Sequence, residues 1–361
     1  MLEVADIVRL HGDAYRQRCG PALTSVQKKA LRDIHNCRTP VLGGHVYQCD
    51  YCQEKRYSYH SCRNRSCPKC HRDQTNRWIG EQRQRLLPCA YYLITFTLPE
   101  CLRPLARSHP KILYGLLMKA AAQALLKLAA DSRFLGARLG ALAVLHTWTR
   151  AMLYHPHVPM LVTAGGLSGD RQRWVLPKNP KFLVPVRALS ILFAAKMRAA
   201  LKKTGLLDQV PSVVWNKPWV VHCRHASWGE KALDYVGRYV FRIAITNSRI
   251  ERIQDGQVTF HYRDNRSQQT KRATLCGVEF LQRFLQHVLP TGCTKIRYYG
   301  IFSPHCQSQL NQARSLIPTR CAPTAEPAHA DPKIALPRCP RCSIGTLHLI
   351  GTLLPEPRSP S

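Results

Sequence analysis

The spacing of cysteines near the N-terminus constrains the fold of this chain more than any other feature. Two C-x-x-C pairs, Cys49/Cys52 and Cys67/Cys70, lie within residues 37–71. Each pair can form a knuckle that offers two thiolates to one tetrahedral ion, the geometry of structural zinc sites. The 361-residue chain has 16 cysteines and lacks the apolar N-terminal segment of a secretory signal. We therefore expect a reducing compartment, where clustered cysteines bind metal instead of forming a disulfide framework.

The cysteine-rich segment contains enough ligands for two zinc ions. The candidates are Cys37, His45, Cys49, Cys52, Cys62, Cys67 and Cys70, with His60 and His71 as spares. In one grouping, the first ion takes Cys37, His45, Cys49 and Cys52, and the second takes the remaining three cysteines with one spare histidine. A cross-braced grouping fits the spacing equally well. A further pair, Cys339 and Cys342, is half a site that Cys321 and His348 are candidates to complete.

The charge balance predicts nucleic acid as the partner. The chain carries 53 basic and 21 acidic residues, a formal net charge of +32. Self-repulsion on this scale needs a polyanion or counterions to neutralise it, and the basic residues are spread along the chain. In the cysteine-rich segment, zinc would fold the loop and present its basic residues to phosphates, the alternative being a solvated basic face. These residues are Arg63, Arg65, Lys69 and Arg72.

A membrane surface is the weaker alternative for a partner. The longest apolar stretch, residues 111–130, is interrupted by Lys111, Lys119 and Lys127. A membrane span needs a longer uncharged run, so this stretch predicts a packed helix. We therefore expect a cytoplasmic protein that does not bind membranes.

Helical and strand patterns alternate along the rest of the chain without a clean β-α-β repeat. Helices are predicted at 5–35, 111–130, 186–203, 228–243 and 277–288, and strands at 91–99, 141–148, 157–164, 218–223 and 258–264. This order favours an α+β fold with a mainly antiparallel sheet. A segment rich in Pro, Ala and Thr, 317–338, predicts a linker. The expected domains are 1–85, with helices and zinc ligands, a body at 86–310, and a linker with a cysteine-containing tail at 311–361.

The stretch YHPHVPML, residues 154–161, places two histidines on one face of a predicted strand. Residues two apart on a strand point the same way, so His155, His157 and Pro159 share that face. Such a pair is suited to a divalent ion, but it is also typical of structural histidines in a sheet. His146, on the neighbouring predicted strand, is a third candidate ligand with the same two interpretations. His222 is more typical of a structural residue.

Two tyrosines, Tyr235 and Tyr239, lie four residues apart in a predicted helix. That spacing puts both phenols on one face. A tyrosine hydroxyl can attack a phosphodiester and hold a covalent 5′-phosphotyrosine when a metal or arginines neutralise the developing charge. Arg238 and Arg242 flank the pair. Taken alone, the spacing is more typical of packing residues.

In chain order, the motifs SCRNRSCPKC, TFTLP, VLHTW, HPHV, YVGRYVFRIAI and IRYYG resemble those of one family. The chain looks like the transposases of the IS91 type and the related common-region elements, which are rolling-circle transposases of the HUH nuclease superfamily. The resemblance implies an N-terminal zinc-binding domain followed by an HUH-type nuclease domain. It implies nicking and rejoining of single-stranded DNA, at element ends and at the target, through a 5′-phosphotyrosine. Host replication proteins are further implied partners, and the nucleoid is the implied location.

Residue by residue, the resemblance assigns the two nucleophiles to Tyr235 and Tyr239, and the first histidine of the HUH signature to His157. The implied catalytic ion is Mg²⁺ or Mn²⁺. Pro159 stands where the signature has its second histidine, and a proline side chain cannot bind metal. His155 is the candidate replacement, although it is shifted by two residues, about 6–7 Å along the strand. Two hypotheses follow: an active transposase, or a DNA-binding relative whose cleavage activity is impaired.

Overall fold

The computed structural model describes residues 1–70, 78–82, 85–179, 182–228, 243–264, 267–317 and 336–357. In these ranges the helices are α1 (Val4–Cys19), α2 (Ser25–His35), α3 (Arg103–Ser108), α4 (Pro110–Ala130), α5 (Val186–Lys203), α6 (Gly277–Leu285) and α7 (Gln307–Leu316). The strands are β1 (Gly44–Cys49), β2 (Lys55–Tyr59), β3 (Ala90–Thr97), β4 (Ala137–Arg138), β5 (Gly140–Val144), β6 (His146–Trp148), β7 (Tyr154–Thr163), β8 (Gly166–Ser168), β9 (Trp174–Val175), β10 (Val221–Trp228), β11 (Ile250–Gln254), β12 (Gln257–Arg263), β13 (Thr270–Cys276), β14 (Ile296–Gly300) and β15 (Leu347–Leu353). The chain forms two compact units.

The larger unit, residues 74–244 and 289–320, is built on a six-stranded sheet. Its strands follow the order β10-β3-β7-β5-β14, and β6 also pairs with β7. Each of these pairings is antiparallel. The prediction of an α+β fold with a mainly antiparallel sheet is confirmed.

The two faces of this sheet are packed differently. On one face, Phe96 of β3 and Val158 of β7 are fully buried in a core that also contains Leu117 of α4 and Phe193 of α5. On the opposite face, residues near the start of β3 and the end of β7 pack against α7. Leu161, for example, belongs to the same buried cluster as Leu310 of α7. Further along the same face lie Thr97, His155 and His157, which are partly exposed. This second region of the face is therefore accessible to a ligand.

Helix α4 has the length and composition of a membrane span, with a mean hydropathy of 1.4. However, Leu113, Leu117, Met118 and Leu125 are completely buried in the core of the larger unit. An apolar helix that packs on a sheet meets the same criteria of length and hydropathy. The helix is a core element, as the sequence predicts for 111–130.

The smaller unit combines three separate parts of the chain, residues 1–73, 245–288 and 321–361. Within it, β11, β12 and β13 form one antiparallel sheet, and β15, β1 and β2 form another. Helix α6 packs against α1 so closely that a Cβ atom at Gly277 would lie 2.2 Å from the ring of His11. Helices α1 and α2 divide the single helical region predicted at 5–35, because Gly20 and Pro21 form a short 3₁₀ turn between them.

The linear partition into 1–85, 86–310 and 311–361 stays a prediction, whereas each compact unit combines segments that are far apart in the sequence. The reason is long-range strand pairing: β15, near the C-terminus, pairs with β1 from Gly44 opposite Leu353 to Cys49 opposite Leu347. Residues 245–288 likewise return to the N-terminal helices through the packing of α6 on α1. Residues 245–288 therefore belong to the smaller unit.

Candidate functional site

Three histidines border one patch of the sheet in the larger unit. His157 on β7 is paired with His146 on β6 and with Thr97 on β3. The ring centroids of His146 and His157 are 5.2 Å apart, and those of His155 and His157 are 5.3 Å apart. Directly paired residues share a face of a sheet, as do residues two apart on a strand. The structure thus brings together the three histidines that the sequence singled out.

The hydrogen bond of His157 sets its tautomer. Its Nδ1 atom lies 2.7 Å from the backbone oxygen of His155. A carbonyl oxygen only accepts, so Nδ1 carries the proton and Nε2 keeps a lone pair. A ring held in this way by a backbone carbonyl is typical of a metal-binding histidine. His157 is therefore oriented and protonated as a metal ligand would be.

His155 is held in the opposite way. The Nη2 atom of Arg103 lies 2.9 Å from its Nδ1, and a guanidinium only donates. Nδ1 of the neutral ring is therefore the acceptor, and the proton is on Nε2. Burial and the nearby Arg103 charge both lower the pKa of His155, against a smaller opposing effect of Glu100. In this arrangement neither nitrogen of His155 has a lone pair free for a metal ion.

Pro159 occupies the next position on this face. It is buried and pairs with Thr95 of β3, which in turn pairs with His222 of β10. His222, expected to be structural, is exposed on the same face. His146 is 2% exposed and stacks on Trp148, with 5.0 Å between ring centroids. In the described ranges, only two sets of cysteines bring three or more ligand atoms within 4.8 Å of one another, so these histidines do not form a preformed metal cluster.

Several predicted residues lie outside the described part of the chain. They are the two candidate nucleophiles Tyr235 and Tyr239, the flanking Arg238 and Arg242, and also His71, Arg72 and Cys321. Their roles stay predictions.

One set of cysteine sulfurs in the smaller unit belongs to the N-terminal segment alone. It consists of Cys37, Cys62, Cys67 and Cys70. The Sγ atoms of Cys37 and Cys70 are 3.5 Å apart, and those of Cys62 and Cys70 are 3.6 Å apart. Four thiolates about 2.3 Å from one tetrahedral Zn²⁺ would lie about 3.8 Å from each other, so the spacing fits zinc. Hydrogen bonds among the four thiols lower the pKa of Cys70 and raise the pKa of Cys67, so the set without metal favours a thiolate at Cys70 and a thiol at Cys67.

The other set combines Cys49 and Cys52 with Cys339 and Cys342. The grouping of Cys37 and His45 with Cys49 and Cys52 is therefore not the one that the structure forms. His45 instead packs edge-on against His60, with ring centroids 4.9 Å apart.

Cys49 and Cys52, and not the candidate His348, complete the C-terminal pair, and the Nε2 of His348 lies 3.2 Å from a carboxylate oxygen of Asp50. The sequence could not distinguish these pairings, since spacing alone does not fix which cysteines meet.

The basic residues of the cysteine-rich segment differ in their availability for DNA. Arg63 and Arg65 are exposed. The Nζ atom of Lys69 lies 2.6 Å from a carboxylate oxygen of Glu3, and its side chain is 19% exposed. Lys69 thus fastens the loop to the start of α1, which is a structural role that the sequence did not indicate.

The chain matches two family models in succession. Residues 7–98 match the one described as a transposase zinc-binding domain of the IS91 type, and residues 140–309 match the one described as a putative transposase. The matched zinc-binding domain and the two cysteine sets support structural zinc.

Two relatives match over most of their length. The chain is 40% identical over 336 residues to the putative transposase y4qJ of Sinorhizobium fredii, covering 87% of this chain and 84% of that protein. It is 29% identical over 311 residues to the transposase for insertion sequence element IS801 of Pseudomonas savastanoi pv. phaseolicola, covering 78% of this chain and 71% of that protein. No solved structure is significantly similar. The chain belongs to the IS91 family of transposases.

Proposed function

We propose that this chain binds the DNA ends of its element and nicks and rejoins single strands through a 5′-phosphotyrosine during rolling-circle transposition. The observation that carries the proposal is His157, which is partly exposed on the sheet face beside His146 and His155 and has its Nδ1 fixed by a backbone carbonyl, as in a metal-binding histidine. Tyr235 and Tyr239 are the proposed nucleophiles. In each cleavage, a phenol oxygen bonds to the scissile phosphorus, the bond to the 3′ oxygen breaks, and that oxygen leaves with a proton. With two tyrosines, one can cut the donor strand and the other the target.

Among the residues that the structure describes, strand β7 does not supply a two-histidine site for Mg²⁺ or Mn²⁺. A divalent ion would polarise the scissile phosphate, and His157 fits as one ligand. Pro159 supplies none, and His155 is engaged by Arg103. The contact between Arg103 and His155 specifically favours the second candidate function, a DNA-binding transposase relative whose cleavage is impaired.

A groove along α5 supports single-stranded DNA as the bound form. Helix α5 has five basic residues and no acidic one in its sequence VRALSILFAAKMRAALKK. Arg187, Arg198, Lys202 and Lys217 line the groove, and none of the described residues lining it is acidic. The guanidinium carbon of Arg198 lies 5.6 Å from the ring centroid of the partly exposed Trp215. Basic grooves with accessible aromatic rings bind single strands by contacting phosphates and stacking on bases.

Partners and location follow from the same proposal. An enzyme that exposes single strands at a replication fork would work beside host replication proteins, and DNA places it at the nucleoid of the cytoplasm. Both statements rest on the family resemblance.

One assay tests the proposal directly. The protein is incubated with single-stranded element-end DNA and Mg²⁺ or Mn²⁺, and covalent protein–DNA adducts are resolved by denaturing gel electrophoresis. We expect a weak adduct that disappears in Tyr239→Phe. Sequence-specific binding without an adduct under either metal would refute cleavage by this chain and leave the DNA-binding function. Failure to bind element ends would refute both.

A further inference from the structure

We propose that Cys49, Cys52, Cys339 and Cys342 together bind one Zn²⁺, so that a metal ion joins the two ends of the chain. Their four sulfur atoms lie within 4.8 Å of one another. The Sγ atoms of Cys49 and Cys342 are 3.7 Å apart, as are those of Cys52 and Cys339. These distances match the separation of about 3.8 Å expected for thiolates around a tetrahedral zinc ion. They are far longer than a disulfide bond of about 2.05 Å.

The two cysteine pairs form knuckles with the same backbone conformation. After the second cysteine of each pair, the backbone takes the left-handed conformation, at Gln53 with φ +59° and at Ser343 with φ +61°. In each knuckle, that residue's N–H donates to the carbonyl oxygen of the first cysteine, at 3.1 Å to Cys49 and 2.8 Å to Cys339. Residues other than glycine rarely adopt this conformation, and here both knuckles do so at equivalent positions. The similarity indicates two halves of one tetrahedral site.

Backbone N–H groups around the sulfurs are arranged as they are around metal-bound thiolates. The N–H of Cys52 points to the Sγ of Cys49 at 3.5 Å, and the N–H of Gly345 points to the Sγ of Cys342 at 3.4 Å. Such donors stabilise negative charge on ligating sulfur. A Cβ atom at Gly345 would lie 2.5 Å from the Sγ of Cys49, so a larger residue there would enter the site.

Contacts between residues other than the four cysteines also hold the two knuckles together. Asp50, next to Cys49, accepts hydrogen bonds from the N–H of Thr346 at 2.8 Å and from its hydroxyl at 2.6 Å. Arg341, within the C-terminal knuckle, pairs with Glu54 at 2.5 Å. Strand β15 then continues alongside β1. These contacts align the two knuckles, and the ion supplies the crosslink that holds the C-terminal segment in place.

This site extends the zinc-binding module beyond the N-terminal region. The match to the zinc-binding domain covers residues 7–98, whereas two of the four ligands are about 290 residues further along the chain. We expect two zinc ions per chain, one held locally by Cys37, Cys62, Cys67 and Cys70 and one shared between the chain ends. Removing the C-terminal cysteines should release one ion and retain the other. The inference does not depend on DNA cleavage.

Zinc content of the full-length protein, measured by mass spectrometry after purification in reducing buffer, tests the proposal. The wild type and the control Cys101→Ser/Cys276→Ser, which changes two exposed cysteines outside both sets, should contain two equivalents. Cys339→Ser/Cys342→Ser should contain one. Two equivalents in this variant, or one in the wild type, would overturn the proposal.

A second measurement covers the case in which the C-terminal variant misfolds. A protease site is inserted at residue 325 in the full chain, the protein is cut, and retention of the tail is measured by gel filtration under native conditions. The tail should stay bound with zinc and dissociate when a chelator removes it. When cobalt(II) replaces zinc, the absorption spectrum should be that of four-thiolate sites, with two equivalents of cobalt bound per wild-type chain. The proposal would be contradicted if the tail stayed bound after complete removal of metal. It would also be contradicted if cobalt titration showed only one four-thiolate site per chain.

Discussion

Replacing Pro159 by histidine should supply the metal ligand that β7 lacks. Position 159 shares a face with His157, and the two Cα atoms are about 6–7 Å apart at the usual strand rise. Nδ1 of His157 donates to the carbonyl oxygen of His155, so Nε2 is the unprotonated nitrogen of this ring. A second imidazole at position 159 would therefore complete a pair on one face of the strand.

The expected gain in Mn²⁺ affinity can be estimated from the smaller effect of residues that only orient a metal ligand. Removing a residue that only orients a metal ligand typically costs 10–100-fold in affinity or activity. A direct ligand should contribute at least as much, so Pro159→His should raise Mn²⁺ affinity by at least about 10–100-fold, or about 1.4–2.7 kcal/mol. The yield of covalent DNA adduct at limiting Mn²⁺ should rise with it.

Mn²⁺ binding, followed by electron paramagnetic resonance, and adduct yield are the two readouts. The matched control is Pro159→Ala, which restores the backbone N–H of the strand without adding a ligand. A second control, His157→Ala in the Pro159→His background, should remove the gain. Equal Mn²⁺ affinity in Pro159→Ala and Pro159→His would refute the reasoning, because the gain would then come from the backbone.

Three further predictions concern other parts of the chain. The double variant Arg198→Glu/Lys202→Glu should weaken binding of single-stranded DNA at least tenfold and lower its salt dependence, measured by fluorescence anisotropy; unchanged affinity would exclude the α5 groove. The pKa of His155 is lowered in the folded state, so the unfolded chain takes up more protons. The free energy of unfolding should therefore decrease as the pH falls below about 6.5, and urea denaturation should show a smaller decrease in His155→Gln; an equal decrease would contradict this assignment. Gly277→Ala should destabilise the packing of α6 on α1 by about 1–3 kcal/mol, because the new Cβ would lie 2.2 Å from the ring of His11; an unchanged thermal midpoint would contradict that.

Local patterns in the sequence were enough to predict much of the fold. Helix α5 has the bounds predicted from its apolar periodicity, 186–203, and β7 contains the predicted strand 157–164 up to Thr163. The shared face of His155 and His157 follows from strand alternation and is present in the structure. These features depend on residues close in sequence, where periodicity and spacing are informative. Strands β11, β13 and β15 were missed, because each forms part of a three-stranded sheet with many exposed residues and a weak apolar pattern.

Contacts between distant residues account for what could not be predicted. Arg103 lies 52 residues before His155, and no pattern in the sequence marks it as the donor to that ring. Cys49 and Cys342 are separated by 293 residues, and their meeting depends on the pairing of β15 with β1. Cysteine spacing identifies ligands, but the tertiary fold determines which of them share an ion.

The cysteine sets and the histidine patch differ in how completely their side chains are arranged for a metal ion. The four sulfurs of each cysteine set are held by knuckles and buried positions, so each zinc site is preformed and would stabilise the fold. The histidine patch has one residue oriented as a ligand, His157, one whose lone pair accepts from Arg103, His155, and a proline paired with Thr95. Among the described residues, the core that contains Phe96 and Val158 lies on the opposite face of the sheet, so its packing does not depend on an ion at the histidines. We therefore expect substitutions at Pro159 to change cleavage while the fold and the binding of DNA by the basic surface are retained.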